Sequence, residues 1–296
     1  MLSLGKLLLA DSIQLSKVGK VLRRTFELWG YGEVVLPTIE PYDETVRKGT
    51  KFAYNNGFYL IKPDVTSRLL KNYDIGFGKL YYISEVLDGS VEGNWQAGVE
   101  FIGGEPTFMT AEVLSVLITA LESLGIEEFY IDLGSLEVWR RATDGIEDFR
   151  ETIYRALERR NFGLIDGLPI DEEKKEELWR LFNFRGKETE YEKLTKILEL
   201  VDDERVFVDL GTVRPLPYYS DVIFEVYSPE FGRPIGGGGE YSFRGRPAVG
   251  FALDLRALVQ LANVDGKTSR RSLRGITSFR EARKLVSMGI PVEVRR

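Results

Sequence analysis

WQAGVEFIGGE, residues 95–105, has the alternation of a β-strand whose two faces differ in character. Because successive side chains of a strand point to opposite faces, Gln96, Gly98 and Glu100 share one face. The other face is apolar and is predicted to be core: Ala97, Val99 and Phe101. At about 3.3 Å per residue, the Cα atoms of Gln96 and Glu100 would stand roughly 13 Å apart over a bare floor at Gly98. The strand alone fits two interpretations equally well, a slot for a small polar ligand or an exposed sheet face with an incidental glycine.

Patterns along the rest of the chain favour a mixed fold. Apolar residues at helical spacing predict helices at 11–30, 111–125 and 253–263. DVTSRLLKN predicts a further short helix over 64–72, capped by Asp64. Short β-type runs predict further strands: 58–62, 79–87, 129–134, 205–210, 219–227, 233–236 and 246–252. Since these strands follow one another as hairpin-like neighbours, the pattern favours an α+β fold, with an antiparallel sheet flanked by helices.

The predicted organisation is one large domain with a short tail. Residues 1–265 would form the domain, and residues 266–296 a C-terminal segment of one helix and one strand. Residues 135–203 are rich in helical patterns and charge, so they are predicted to be a helical insertion within the domain. A solvated surface is the favoured interpretation of this insertion over a binding surface.

The composition excludes several kinds of chemistry. The chain has 296 residues with no cysteine and no histidine, so the thiolate nucleophile and the commonest general base are both missing. The same absence argues against a metal centre, and we expect no metal and no cofactor. A formal net charge of −6 argues against binding nucleic acid. No apolar run approaches the roughly 20 residues that span a bilayer, and the opening MLSLGKLLLADS is too briefly apolar for a signal peptide, so a cytoplasmic protein without membrane contact is expected.

Four ordered segments resemble class II aminoacyl-tRNA synthetases, and most closely paralogues of histidyl-tRNA synthetase. WQAGVEFIGGE resembles motif 2 in its QAGVE form, and FELWGYGEVVLPTIE (26–40) resembles motif 1, with Pro37 at the dimer-interface proline. The other two segments are RPLPYYSDVIFEVY (214–227), which resembles the histidine-specific segment, and GGGGEYSFRGRPAVGFALDL (236–255), which resembles motif 3. A fifth stretch, IKPDVTSRLLK (61–71), is similar to the part that binds the amino acid's ammonium group. The resemblance implies the class II fold.

The resemblance also implies a histidine site made of seven residues: Asp64, Thr66, Gln96, Glu100, Arg214, Tyr219 and Tyr241. Asp64 and Thr66 stand at the ammonium-contact positions, and Glu100 can accept a hydrogen bond from an imidazole N–H. Arg214 can pair with the carboxylate of the ligand. Tyr219 and Tyr241 each offer a hydroxyl beside an aromatic wall, although tyrosines in strands are more often simple core residues.

The sequence departs from the synthetases where they bind ATP. Class II enzymes clamp the nucleotide with one arginine in motif 2 and one in motif 3, whose positive charge stabilises the phosphates. Alignment of the motifs places Asp88 and Ala257 at these two positions. Arg256 is one residue away, which turns it by about 100° on a helix. We therefore expect that the ATP site is lost and that the chain has no catalytic residues. The stretch after Ala257 is also too short for an anticodon-binding domain.

An amino-acid pocket without an ATP clamp resembles the family of regulatory subunits of ATP phosphoribosyltransferase. This resemblance implies a hetero-oligomer with the short-form catalytic subunit, which this chain would activate and make sensitive to feedback by histidine. It also implies a homodimer formed through the motif 1 region. The sequence leaves two alternatives open, a minimal class II paralogue that activates an amino acid for a non-tRNA acceptor and an assembly scaffold with a vestigial pocket. It also leaves open whether regulatory histidine binds in the pocket, which is favoured, or between subunits.

Overall fold

The computed structural model describes residues 9–44, 49–72, 76–87, 93–212, 219–264, 271–274, 285, 288, 290 and 292–295. The chain divides into two compact units, Met1–Ala262 and Asn263–Arg296. In the second unit, strands Arg271–Arg274 and Val292–Arg295 form a two-stranded parallel sheet. The strand expected near the C-terminus is therefore present, whereas most of the helix expected before it lies outside the described residues.

A nine-stranded sheet forms the centre of the first unit. Its strands are β1 (Gly32–Glu33), β5 (Gly78–Leu87), β6 (Gly93–Ile102), β7 (Tyr130–Ser135), β8 (Arg185–Gly186), β9 (Val206–Asp209), β10 (Tyr219–Tyr227), β11 (Pro234–Phe243) and β12 (Arg246–Asp254). They lie in the order β1-β5-β6-β12-β11-β10-β7-β9-β8. Only the β1–β5 and β7–β9 pairs among these described strands are parallel. The predicted α+β fold with an antiparallel sheet is confirmed.

Strand β11 is longer than the predicted 233–236, because it continues through the glycine run and on to Phe243. Gly236–Gly239 pairs with β10 on one side and with β12 on the other. A Cβ on Gly238 would lie 2.0 Å from the carbonyl oxygen of Gly250, and one on Gly239 would lie 2.7 Å from that of Val222. The glycines therefore allow three strands to approach closely, although the residue type alone favours turns.

The apolar side of β6 packs on three helices at the back of the sheet, α1 (Leu9–Leu28), α3 (Pro106–Ser123) and α9 (Leu255–Leu261). Helix α8 (Glu192–Val201) packs on α3 and β9. Ala97, Val99 and Phe101 are buried as predicted. Helix α3 begins five residues before the predicted boundary, because the Glu105 carboxylate accepts the backbone N–H groups of Thr107 and Phe108 and so caps its first turn.

The predicted insertion has a core of its own and also contributes to the main sheet. Its remaining helices are α4 (Leu136–Ala142), a 3₁₀ turn (Glu147–Phe149), α5 (Arg150–Glu158), α6 (Gly163–Asp166) and α7 (Glu172–Asn183). Trp139 is fully buried among them, and this cluster packs against Ile223 of β10. Strand β8 and helix α8 also arise from this segment, so it is not helical throughout. The two-residue strand gave no detectable alternation in the sequence.

Lys193 of helix α8 forms two ion pairs with the sheet. The Lys193 ammonium lies 2.8 Å from an Asp221 oxygen on β10 and 2.6 Å from a Glu240 oxygen on β11. Ser135 donates to Asp221, and Thr110 of α3 donates to Glu240. Since both carboxylates are largely withdrawn from water, these partners are what make their burial tolerable.

A second, three-stranded sheet packs beside the main one. Its strands are β2 (Ile39–Pro41), β3 (Thr50–Tyr54) and β4 (Gly57–Ile61), in the order β2-β4-β3. Helix α2 (Val65–Asn72) follows β4. Its Arg68 is 1% exposed and donates to the Glu40 carboxylate of β2 at 2.6 Å, and also to the carbonyl of Pro37. This buried pair attaches α2 to the segment that resembles motif 1. Among the helices of the described ranges, none is long and apolar enough to cross a membrane.

Candidate functional site

The candidate site lies on the face of the nine-stranded sheet that carries Glu100, called the front face below. Helix α2 covers this face, because its Val65 and Leu69 pack in one cluster with Tyr82 of β5 and Tyr241 of β11. Pairing in register places Tyr82 beside Gly98 and places Gly250 beside Glu100. The front face here is therefore covered by one helix, and each glycine lies beside a larger side chain of the neighbouring strand.

Glu100 is the buried centre of the site. It is 2% exposed, and its two oxygens accept hydrogen bonds from Thr66 Oγ1 at 2.9 Å and from the Tyr241 hydroxyl at 2.8 Å. Gly250 leaves room for the carboxylate, because a Cβ there would lie 1.9 Å from Glu100 Oε2. Burial, together with nearby Asp64, raises the pKa of Glu100 to about 7 against the lowering effect of both hydrogen bonds.

The two tyrosines predicted for the site lie side by side on neighbouring strands. Tyr219 of β10 is the register partner of Tyr241 of β11. Burial and the adjacent Glu100 raise the pKa of Tyr241 well above its ordinary value, so the phenol keeps its proton and remains a donor. Tyr219 packs both against the cluster under α2 and against the cluster of the insertion. It therefore joins the candidate site to the insertion.

Asp64 caps helix α2, as the sequence predicted for a short helix over 64–72. The Asp64 Oδ1 accepts the backbone N–H of Ser67 at 3.0 Å. The half-buried Asp64 carboxylate also lies close enough to Glu100 to raise the pKa of Glu100. Together Asp64 and Glu100 give the pocket a negative character, which suits a cationic group of a ligand.

The floor predicted at Gly98 is not bare, so that part of the slot interpretation is wrong. A Cβ on Gly98 would lie 2.6 Å from the Tyr82 hydroxyl oxygen, and Tyr82 itself is 2% exposed. The tyrosine ring fills the space between Gln96 and Glu100. Strand alternation placed Tyr82 on one face of a strand, but only the register of β5 against β6 shows which residue it covers.

The structure brings some of the predicted residues together and leaves others apart. Thr66, Glu100 and Tyr241 are joined by hydrogen bonds, and Asp64 and Tyr219 adjoin them. Gln96 is half-buried at the other end of the same face, opposite Ser84 and Asp254 in register. Arg214 and Asp88 lie outside the described residues. The binding roles of all seven residues stay predictions.

The position of the motif 3 arginine holds a small side chain in the core. Ala257 lies in the first turns of α9 and is fully buried. The neighbouring Arg256 donates to the carbonyl of Gly93 at 2.6 Å, and Asp254 accepts its backbone N–H at 2.8 Å. Arg256 therefore has a structural partner on β6, which agrees with its being a doubtful substitute for the missing arginine.

A pH dependence of stability follows from Glu100. Its pKa rises from an ordinary 4.5 to about 7 on folding, so the folded protein keeps a proton that the unfolded chain has lost. The contribution of Glu100 to the free energy of unfolding is fully present below pH 4.5, decreases as the pH rises and is lost above about pH 7. The total is roughly 3 kcal/mol. Urea unfolding at pH 5 and pH 7.5 should show a larger decrease for the wild type than for Glu100→Gln, and equal decreases would contradict the buried proton.

Comparison with known proteins identifies relatives of two kinds. The family model for histidyl-tRNA synthetase matches residues 76–200 and 170–258. The ATP phosphoribosyltransferase regulatory subunit of Shouchella clausii is 30% identical, over 93% of this chain and 85% of its own length. The histidine–tRNA ligase of Pyrobaculum aerophilum is 27% identical, over 83% of this chain and 71% of its own length.

Solved structures share the fold. An ATP phosphoribosyltransferase regulatory subunit/histidyl-tRNA synthetase from Bacillus halodurans superposes with a TM-score of 0.81 at 24% identity, covering 99% of this chain and 91% of that one. A chain of the ATP phosphoribosyl transferase (HisG:HisZ) complex from Thermotoga maritima gives a TM-score of 0.69 at 20% identity, covering 82% of this chain and 97% of its own. At these identities the likeness establishes the fold alone.

Proposed function

Because the chain belongs to the histidyl-tRNA synthetase family, we propose that it is the regulatory subunit of an ATP phosphoribosyltransferase and performs no chemistry of its own. One observation carries the proposal: residue 257, where the family has an ATP-binding arginine, is a fully buried alanine. Without the positive charge of that arginine, the negative charge that develops on a triphosphate in the transition state would not be stabilised. Relatives named as ATP phosphoribosyltransferase regulatory subunits support the same assignment.

The ligand of the pocket is proposed to be histidine. Glu100 would accept the imidazole N–H, beside the hydroxyls of Thr66 and Tyr241 that already bond to its oxygens. Asp64 would face the ammonium group, and Arg214 would pair with the carboxylate. Each Glu100 oxygen has a lone pair left for a further donor, so a ligand that places an N–H there is favoured over one that covers the buried carboxylate with an apolar group.

The partner is proposed to be the short-form catalytic subunit, which this chain would activate and expose to feedback by histidine. Support comes from the complex of Thermotoga maritima, whose matching chain has the same fold. A homodimer through the motif 1 region belongs to the proposal. The exposed apolar side chains there support it, because Val35 is 83% exposed and Ile39 is 52% exposed.

Assembly and ligand binding test the proposal directly. The chain, mixed with a short-form catalytic subunit from the same organism, should elute as one complex whose mass exceeds that of either component by light scattering. Titration calorimetry with each of the twenty amino acids should give histidine the highest affinity. A chain that neither joins the catalytic subunit nor binds histidine, with or without it, would exclude this function.

The rival function, activation of an amino acid for a non-tRNA acceptor, predicts a different result. Histidine-dependent exchange of label between pyrophosphate and ATP should be absent, because Ala257 cannot stabilise the phosphates through the transition state. A histidyl-tRNA synthetase assayed beside it provides the positive control. Exchange clearly above that measured without amino acid would support the enzyme interpretation. That interpretation is consistent with the ligases among the relatives.

A further inference from the structure

A second concave surface lies at the far edge of the nine-stranded sheet. It encloses about 360 Å³ and is lined by Tyr130 of β7, Phe207 of β9, and Arg185, Gly186 and Lys187 at the edge strand β8. This volume is at the lower end of the range for small-molecule sites. The cavity shares no lining residue with the candidate histidine site.

The cavity opens on the front face, the same face as Glu100. Register partners connect the two places across the sheet: Gly98, Ala252, Gly237, Glu225, Asp132 and Phe207. Paired residues point to the same side of a sheet. Five strand spacings separate β6 from β9 in the strand order, or roughly 24 Å at about 4.8 Å each. The two sites are therefore separate places on one surface.

Two cations flank one aromatic ring at this edge. The Arg185 guanidinium carbon lies 5.2 Å from the centroid of the Phe207 ring, and the Lys187 ammonium lies 5.3 Å from it. Tyr130 is 42% exposed, and its ring centroid lies 6.1 Å from that of Phe207. The surface therefore brings two aromatic rings together with two positive charges that lie over one of them, a combination that suits a planar ring joined to an anion.

The two ion pairs that hold these cations differ in their exposure to solvent. Lys187 pairs with Glu204, whose side chain is 97% exposed, whereas the half-exposed Arg185 pairs at 3.0 Å with the buried Asp132. An exposed pair such as that of Lys187 and Glu204 contributes little to stability. A ligand anion can therefore recruit Lys187 without much loss, while the buried Asp132 keeps Arg185 in place.

We propose that this cavity is a binding site for a purine mononucleotide, with the base against Phe207 and Tyr130 and the phosphate near Lys187 and Arg185. The net charge of −6 favours a small anion over a nucleic-acid strand, because a long polyanion would also meet the acidic remainder of the surface. The proposal does not depend on the histidine site.

Titration calorimetry with adenosine 5′-monophosphate and guanosine 5′-monophosphate tests the site. At least one should bind saturably, whereas adenosine and ribose 5-phosphate, which each lack one half of the ligand, should bind much more weakly. Phe207→Leu should weaken binding about fivefold or more, since it removes the stacking surface. Lys187→Gln, a change at the protein surface that should leave folding intact, should weaken it about threefold.

Two matched variants elsewhere provide the controls. Tyr54→Leu removes an exposed aromatic ring from β3, and Lys20→Gln removes an exposed charge from α1, and both should bind as the wild type does. No saturable binding, or binding that neither Phe207→Leu nor Lys187→Gln alters, would overturn the proposal and leave an ordinary solvated sheet edge. Tighter binding of a short oligoadenylate than of the mononucleotide would overturn the choice of ligand.

Discussion

Histidine affinity is expected to fall about tenfold to a hundredfold when Glu100 is replaced by glutamine. The carboxylate is 2% exposed and accepts hydrogen bonds from Thr66 and Tyr241. Hydrogen bonds to a charged group contribute roughly 1.5–3 kcal/mol, and glutamine has no charge. Its amide would also turn a donor toward one of the two hydroxyls. Calorimetry at pH 8, where a group with a pKa of about 7 is mostly ionised, should show the largest difference.

A matched control separates this effect from general damage. Glu112→Gln removes another largely buried carboxylate, which bonds to Tyr31 and Lys79 at the back of the sheet. It should leave histidine affinity unchanged. Glu100→Gln should still assemble with the catalytic subunit. If assembly collapsed instead, or if both variants lost affinity equally, Glu100 would have a structural role only.

Replacing Arg68 with methionine is expected to destabilise the folded protein by about 3–5 kcal/mol, because it leaves a buried charge without its partner. Arg68 and Glu40 are 1% and 4% exposed, and their side chains meet at 2.6 Å. The same arginine also donates to the Pro37 carbonyl. Urea unfolding at pH 7 measures the change as a shift of the midpoint at constant slope.

The double variant Arg68→Met with Glu40→Leu tests the cause. Replacing a whole buried pair with apolar residues is often close to neutral, so the double variant should recover most of the loss. Recovery would show that the stability lost in Arg68→Met is due to the unpaired Glu40 carboxylate. A single variant that loses less than about 1 kcal/mol would contradict the buried pair, since exposed pairs contribute that little.

Much of the fold could be predicted from local pattern, and the failures have physical causes. The alternation over 95–102 predicted β6 and its buried side, because burial of one face imposes a period of two residues. Strand β8 was missed, since two residues are too few for a period. Strand β11 was predicted too short, over 233–236, because glycine is rare in strands, whereas here its small size allows neighbouring strands to approach.

Sequence reasoning named residues that the structure brings together around Glu100, but not their arrangement. Family motifs indicated Thr66, Glu100 and Tyr241, yet only the folded arrangement of α2, β6 and β11 shows that both hydroxyls bond to one carboxylate. The covering of Gly98 by Tyr82 and the buried partner of Arg68 depend on pairings between distant segments. No local period encodes such pairings, so sequence reasoning could not find them.

The most direct test of the regulatory role measures ATP phosphoribosyltransferase activity of the short-form catalytic subunit alone, with this chain, and with this chain plus histidine. The proposal predicts low activity alone, a marked increase on adding this chain, and inhibition of that increase by histidine. The inhibition should weaken when this chain carries Glu100→Gln. Activity of the catalytic subunit that is the same with and without this chain would contradict the proposed function.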